Sequence, residues 1–177
     1  MAADAHPPIF GTAVDGWRYT FAALSRMPVV LGVGLLAVIA INTLTIPISL
    51  DPKEETTAVG QLIELAVSIA NGFVLTPVAI AVHRFILLGE ITDRYALNPS
   101  EHRFMQFFIW TVLYQLLITA PSVLVTLSAG GTGSLLSTAV VLLIFGIIAS
   151  LRLLILFPAI AVDARRARWD FAFADTK

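Results

Sequence analysis

Apolar residues along this chain gather into four long runs separated by short polar or charged stretches, and the last run is the longest. From Leu135 to Val162 it reads LLSTAVVLLIFGIIASLRLLILFPAIAV, 28 residues whose only charge is Arg152. About 18 consecutive apolar residues are enough for a helix to span a bilayer, so this run predicts a transmembrane segment. The other runs predict spans at about 28–50, 61–82 and 104–127. The polar stretches DPKEETTAVG and SAGGTGS between paired spans predict hairpin turns. The fold class expected is therefore an all-α membrane protein of four transmembrane helices.

Shorter patterns refine the spans. Phe10, Val14, Trp17, Phe21 and Leu24 recur at steps of four and three, which is one stripe of an α-helix, with Asp15, Arg18 and Arg26 off it. Such a helix is expected to lie in the cytoplasmic headgroup layer, where the rings of Trp17 and Tyr19 sit well. Pro28 opens the first span, and Gly32 and Gly34 allow another helix to approach it closely. In the second span Glu64, Ser68 and Asn71 share one face; in the third, Thr111, Gln115, Thr119 and Ser122 do the same. Between these spans lies the connector HRFILLGEITDRYAL, and Asn98-Pro99-Ser100-Glu101 after it reads as a helix start with a capping Asn.

The run ending Ala159-Ile160-Ala161-Val162-Asp163 echoes Ala79-Ile80-Ala81-Val82-His83, 80 residues upstream. Each half then reads as an interfacial amphipathic helix, a span, a turn, a returning span and a charged exit. The repeats run 10–95 and 98–177 within one integral domain, in parallel orientation, since both halves enter from the same side. The tail restarts the pattern, with Trp169 matching Trp17 and Phe173 matching Phe21. Either the tail lies on the membrane alone, or the chain is a shortened member of a longer family, or a partner supplies the missing helices.

Composition and charge supply orientation. The chain is 58% hydrophobic and 13% charged, well below the roughly one-quarter charged of globular domains. Leaving Arg152 aside, nine of the ten remaining Lys and Arg residues lie in the N-terminal segment, the connector or the tail; Lys53 stands alone elsewhere. The positive-inside rule then puts both termini in the cytoplasm. The start MAADAHPP lacks a basic n-region, so the first run is expected to be a retained helix. No cysteine is present, which excludes disulfides, thiolate metal sites and cysteine nucleophiles.

The layout, with HRFILLGE after the second span and RLLILFPAIAVD in the fourth, resembles bacterial inner-membrane proteins related to the membrane domain fused to some glycerophosphodiester phosphodiesterases. That resemblance covers most of the chain. It implies a fold and a bacterial inner-membrane location, and it carries over no catalytic residue.

Candidate chemistry is sparse. Arg152 lies ten residues from Val162, about 15 Å of helix, which reaches the middle of a hydrocarbon core about 30 Å thick. An intramembrane Arg asks for a partner, and Glu64, Asn71 and Gln115 complete a polar centre. The plainer reading is that Arg152 snorkels from an over-long run, and that the stripes are interhelical glue. Trp17, Arg18, Arg84, Arg103, Arg165, Arg166, Arg168 and Trp169 are candidates for the lipid interface and anionic headgroups, or simply topology signals. His83, Glu90, Asp93, Glu101 and His102 match no ligand spacing, and the glycine-rich turn lacks the Lys of a P-loop. Neither a catalytic residue, a metal site, a cofactor nor a nucleic-acid partner is expected. The expected partners are the lipid bilayer, anionic lipids and either a homo-oligomer or another membrane subunit. The leading reading is a non-enzymatic membrane component that associates with lipid or protein. The alternative is a small-solute channel or transporter centred on Arg152.

Overall fold

A computed structural model of the chain describes residues 9–49, 58–128, 133–154 and 156–164. Among the described residues there are six helices and no strand: α1 (Ile9–Arg26), α2 (Pro28–Ser49), α3 (Ala58–Leu88), α4 (His102–Ser128), α5 (Gly133–Leu153) and α6 (Leu156–Ala161). Most of both predicted turns, and the tail carrying Arg165, Arg166, Arg168 and Trp169, lie outside the described residues.

Local chemistry sets the boundaries. Pro28 cannot donate to the Leu24 carbonyl and pushes Met27 out of helical geometry, so α1 and α2 meet at an elbow on Met27. The hydrogen bonds run on around it, from Met27 N–H to Ala23 (2.8 Å) and from Leu31 N–H to Met27 (3.2 Å). α3 continues to Leu88 rather than stopping at the predicted Val82, because its first effective terminator is Gly89. That glycine takes φ 71° and donates its N–H to the Phe85 carbonyl at 3.0 Å, a left-handed cap. The helix start expected at Asn98 is a separate turn, closed by Glu101 N–H to Asn98 at 3.2 Å. α4 begins one turn later, at His102.

The fourth apolar run is two helices rather than one. α5 ends at Leu153 and α6 starts at Leu156. Pro158 explains the break: its ring collides with the carbonyl four residues back, that of Leu154, and it has no N–H to offer there. α6 then closes with a Schellman motif, Ala164 N–H to Ala159 (3.0 Å) and Asp163 N–H to Ile160 (3.2 Å). Asp163 occupies the left-handed position of that motif at φ 51°, where glycine is usual.

The helices α2, α3, α4 and α5 pack side by side in that order, and α6 lies in the notch between α3 and α4. Three glycines set the spacing. A Cβ on Gly34 would come within 2.5 Å of a Val78 methyl, one on Gly72 within 3.1 Å of a Thr111 methyl, and one on Gly146 within 3.1 Å of the Leu117 carbonyl oxygen. Gly32, also expected at a helix contact, faces open space. Two small cores form at the end where α3 stops. One joins Ala23, Met27 and Val30 of the elbow to Ala81 and Phe85. The other joins Phe107 to Leu156, Ile160 and Ala161, with Ala79 and Ile80 packed against it. The two Ala-Ile-Ala-Val segments are thus brought together in space.

Three helices carry stretches long and apolar enough to cross a membrane: Pro28–Thr45, Val59–Leu88 and His102–Pro121. In the most apolar 18 residues of each, only 11%, 11% and 17% are buried within the protein, so their apolar surface faces outward. That surface is compatible with a hydrocarbon surrounding and unlike the exterior of a water-soluble helical bundle. In α5 the described apolar stretch is shorter, Val140–Leu151.

Candidate functional site

Two polar assemblies lie on these helices. The first is a crevice along α3. One part, about 440 Å³, is lined by Asn42, Thr45, Glu64, Ser68 and Asn71, with Ile63 and Val67 between them. A second part, about 220 Å³, continues from Ser68 and Asn71 past Thr76 to Thr111 and Gln115 of α4. The close approach at Gly72 is what lets α4 bring Thr111 to this face. Four of the polar side chains here bond within their own helix. Thr45 donates to Ile41 or Asn42, Thr76 to Gly72 at 2.8 Å, and Thr111 to Phe107 at 3.0 Å. The Asn42 amide donates to Val38 at 2.7 Å and reaches the Asn71 carbonyl oxygen at 3.3 Å, linking α2 to α3.

The second assembly is a charged latch where α3, α4 and α6 meet. Arg84 donates to Glu90 at 2.7 Å and to the Ala161 carbonyl at 3.2 Å, so a cation sits on the last orphan carbonyls of α6. Arg103 grips Asp163 with Nε and Nη2, one bond to each carboxylate oxygen, and lies 3.6 Å from Glu101. Such bidentate pairing is the stronger form of arginine–carboxylate contact. It holds the Asp163 carboxyl below the ordinary carboxylate range, against a smaller upward push from burial. The connector closes the latch from outside: Tyr95 donates its hydroxyl to the Val74 carbonyl at 2.7 Å, beside the place where Pro77 interrupts the α3 ladder. Burial pushes that phenol above its usual value. A cleft of about 190 Å³ remains under the connector, with Arg84, Arg94, Glu101 and Arg103 on its walls.

The residues expected at a polar centre divide. Glu64, Asn71 and Gln115 line the crevice. Arg152 belongs to α5, which packs on α4 and α6, whereas the crevice lies on the α3 side of α4. The helix contacts Gly146–Leu117 and Gly72–Thr111 put its backbone level with Thr111; its side chain lies outside the described residues. Among the interface candidates, Trp17 and Arg18 are exposed, and Trp17 stacks on Phe21 with centroids 6.0 Å apart. Arg84 and Arg103 are engaged by carboxylates. His83 turns inward: the Ala79 carbonyl can only accept, so Nδ1 donates to it at 2.7 Å, and the ring packs on Phe107. Sequence reasoning passed over Asn42, Thr45, Tyr95 and the pairing role of Asp163. Asn42 carries a usable signal as an amide inside an apolar span; Tyr95 has none, since its partner is a backbone carbonyl.

No protein-family model matches the chain, and no curated protein or solved structure matches it either.

Proposed function

We propose that this chain is a multi-pass protein of a bacterial inner membrane, crossing it four times as two parallel hairpin units with both termini cytoplasmic, and that it acts by associating with lipid and protein rather than by catalysis. The observation that carries this reading is α1. Its Val14, Trp17, Phe21 and Leu24 are 66%, 67%, 66% and 58% exposed, while Ala23 on another face packs into the elbow core. A helix that packs one side on the bundle and turns aromatic and aliphatic side chains outward, directly before a span, suits the headgroup boundary. The distribution of Lys and Arg supports the cytoplasmic side for it. The resemblance of the layout to the membrane domain fused to some glycerophosphodiester phosphodiesterases would imply the same location.

Depth-dependent quenching tests the anchor. In a variant with Trp110→Phe and Trp169→Phe, Trp17 is the only indole. Reconstituted in vesicles, it should be quenched most by lipids brominated near the headgroup, and more strongly with anionic lipid present. Solvent-like emission without quenching overturns the anchor. Native mass spectrometry of gently extracted protein tests the association: a defined oligomer or a complex with another subunit supports it, and a bare monomer overturns it.

A further inference from the structure

The α2–α3–α4 crevice has a donor and acceptor balance that the association reading does not use. Thr76 and Thr111 spend their hydroxyl protons on carbonyls of their own helices, and the Asn42 amide hydrogens go to Val38 and Asn71. What these side chains keep is oxygen lone pairs. Glu64 adds a carboxylate two helical turns, about 10 Å, from Asn71. No Lys or Arg is among the described residues lining either part of the crevice. A concave wall of oxygen acceptors beside one uncompensated carboxylate favours a positively charged ligand and repels an anion. We propose that this crevice is a binding site for a small monovalent cation, an alkali ion or an ammonium group, with Glu64 as its charge partner and Asn42 and Ser68 supplying oxygens.

A second copy of the chain is the competing occupant, because asparagines can also pair between membrane helices. The lining argues for the ion: five of the seven described residues around the Glu64 part are polar or charged, and the space there is about 440 Å³.

The chain has no cysteine, so one introduced thiol reports cleanly. Val67→Cys, in the lining of the Glu64 part, is labelled in reconstituted full-length protein with a trimethylammonium-ethyl and a sulfonatoethyl methanethiosulfonate. Each rate is divided by that at Ser100→Cys, an exposed connector position. The cationic reagent should be favoured about tenfold relative to that reference, the scale on which a charged cleft concentrates counter-ions. Sodium or ammonium chloride should slow the labelling saturably, whereas N-methylglucamine chloride at equal ionic strength should not. Adding Glu64→Gln should return the ratio to the reference; Glu64 is exposed, so this change leaves packing intact. A ratio equal to the reference, a preference that survives Glu64→Gln, or no labelling by either reagent overturns the proposal. So does a disulfide formed between two copies through Asn42→Cys.

Discussion

Where α3 stops and α4 starts, Arg84 and Arg103 are consumed by Glu90, Glu101, Asp163 and the last carbonyl of α6. Further along the same helices, Asn42, Thr76 and Thr111 bond to carbonyls four residues away on their own helix. The latch bonds join residues 60 and 77 positions apart. This contrast decides what each region does. Bonds between distant segments hold α3, α4 and α6 in one arrangement, so their loss is a loss of tertiary structure. Bonds within one turn persist whether or not the helices pack, so those groups contribute little to the arrangement and remain available to a ligand. One end of the bundle spends its polarity on itself; the crevice does not.

The largest effect should come from the seam on which both regions depend. Gly34→Leu puts a branched side chain where even a Cβ would meet Val78 at 2.5 Å. Overpacking of this kind costs about 1–3 kcal/mol. Reversible unfolding in mixed micelles, followed by circular dichroism, should show that loss, and Gly32→Leu, which faces open space, should not. Equal effects at the two positions would mean that α2 does not pack on α3 as described.

Next in size is the latch. Arg103→Leu removes both hydrogen bonds to Asp163. Charged hydrogen bonds are worth about 1.5–3 kcal/mol, and with Asp163 half exposed the expected loss is about 1–2 kcal/mol. The same pair predicts a pH dependence. A carboxyl whose folded pKa is depressed contributes stability above its unfolded pKa and loses it as pH falls through the folded value. Stability should therefore drop as pH descends through and below the ordinary aspartate range, near 4. Asp163→Asn keeps a residue that tolerates the left-handed conformation at φ 51° while removing the charge, so it should flatten that drop. An unchanged profile would remove Asp163 from the latch.

The helices themselves were legible because lipid-length apolar runs leave few alternatives: Pro28 and Leu127 bound their spans to within a residue or so of where α2 begins and α4 ends. The stripes on α3 and α4 also led to the crevice, since residues four apart on a helix share a face whatever packs against it. What could not be read was set by contacts across sequence. The break before Pro158 needed knowledge of which of two readings, kink or boundary, the neighbours favour; α6 finds its notch only because α3 and α4 supply Ile80 and Phe107. Asp163 reads as an exit charge until Arg103, 60 positions away, is brought to it. The polar centre was drawn around Arg152 because intramembrane charge is the loudest sequence signal, yet the order of packing sets α5 beyond α4 from the crevice.

The smallest expected effect tests the comparison most directly. Asn71→Leu removes a polar link between α2 and α3 in the crevice, a neutral contact at 3.3 Å. Hydrogen bonds between membrane helices average about 0.6 kcal/mol, because the separated helices find other partners. Asn42 already has such a partner in the Val38 carbonyl at 2.7 Å, so the stability change should stay below that figure. The leucine also fills part of the crevice where Ser68 and Asn71 join its two parts, so access of an aqueous reagent to Val67→Cys should fall sharply while the unfolding curve barely moves. Stability and access would then separate, as they must if the crevice is held open by helices that the latch and the glycine seams keep in place. A loss as large as that of Arg103→Leu would mean that Asn42 and Asn71 hold the hairpin together, and the division between a structural end and an available crevice would fail.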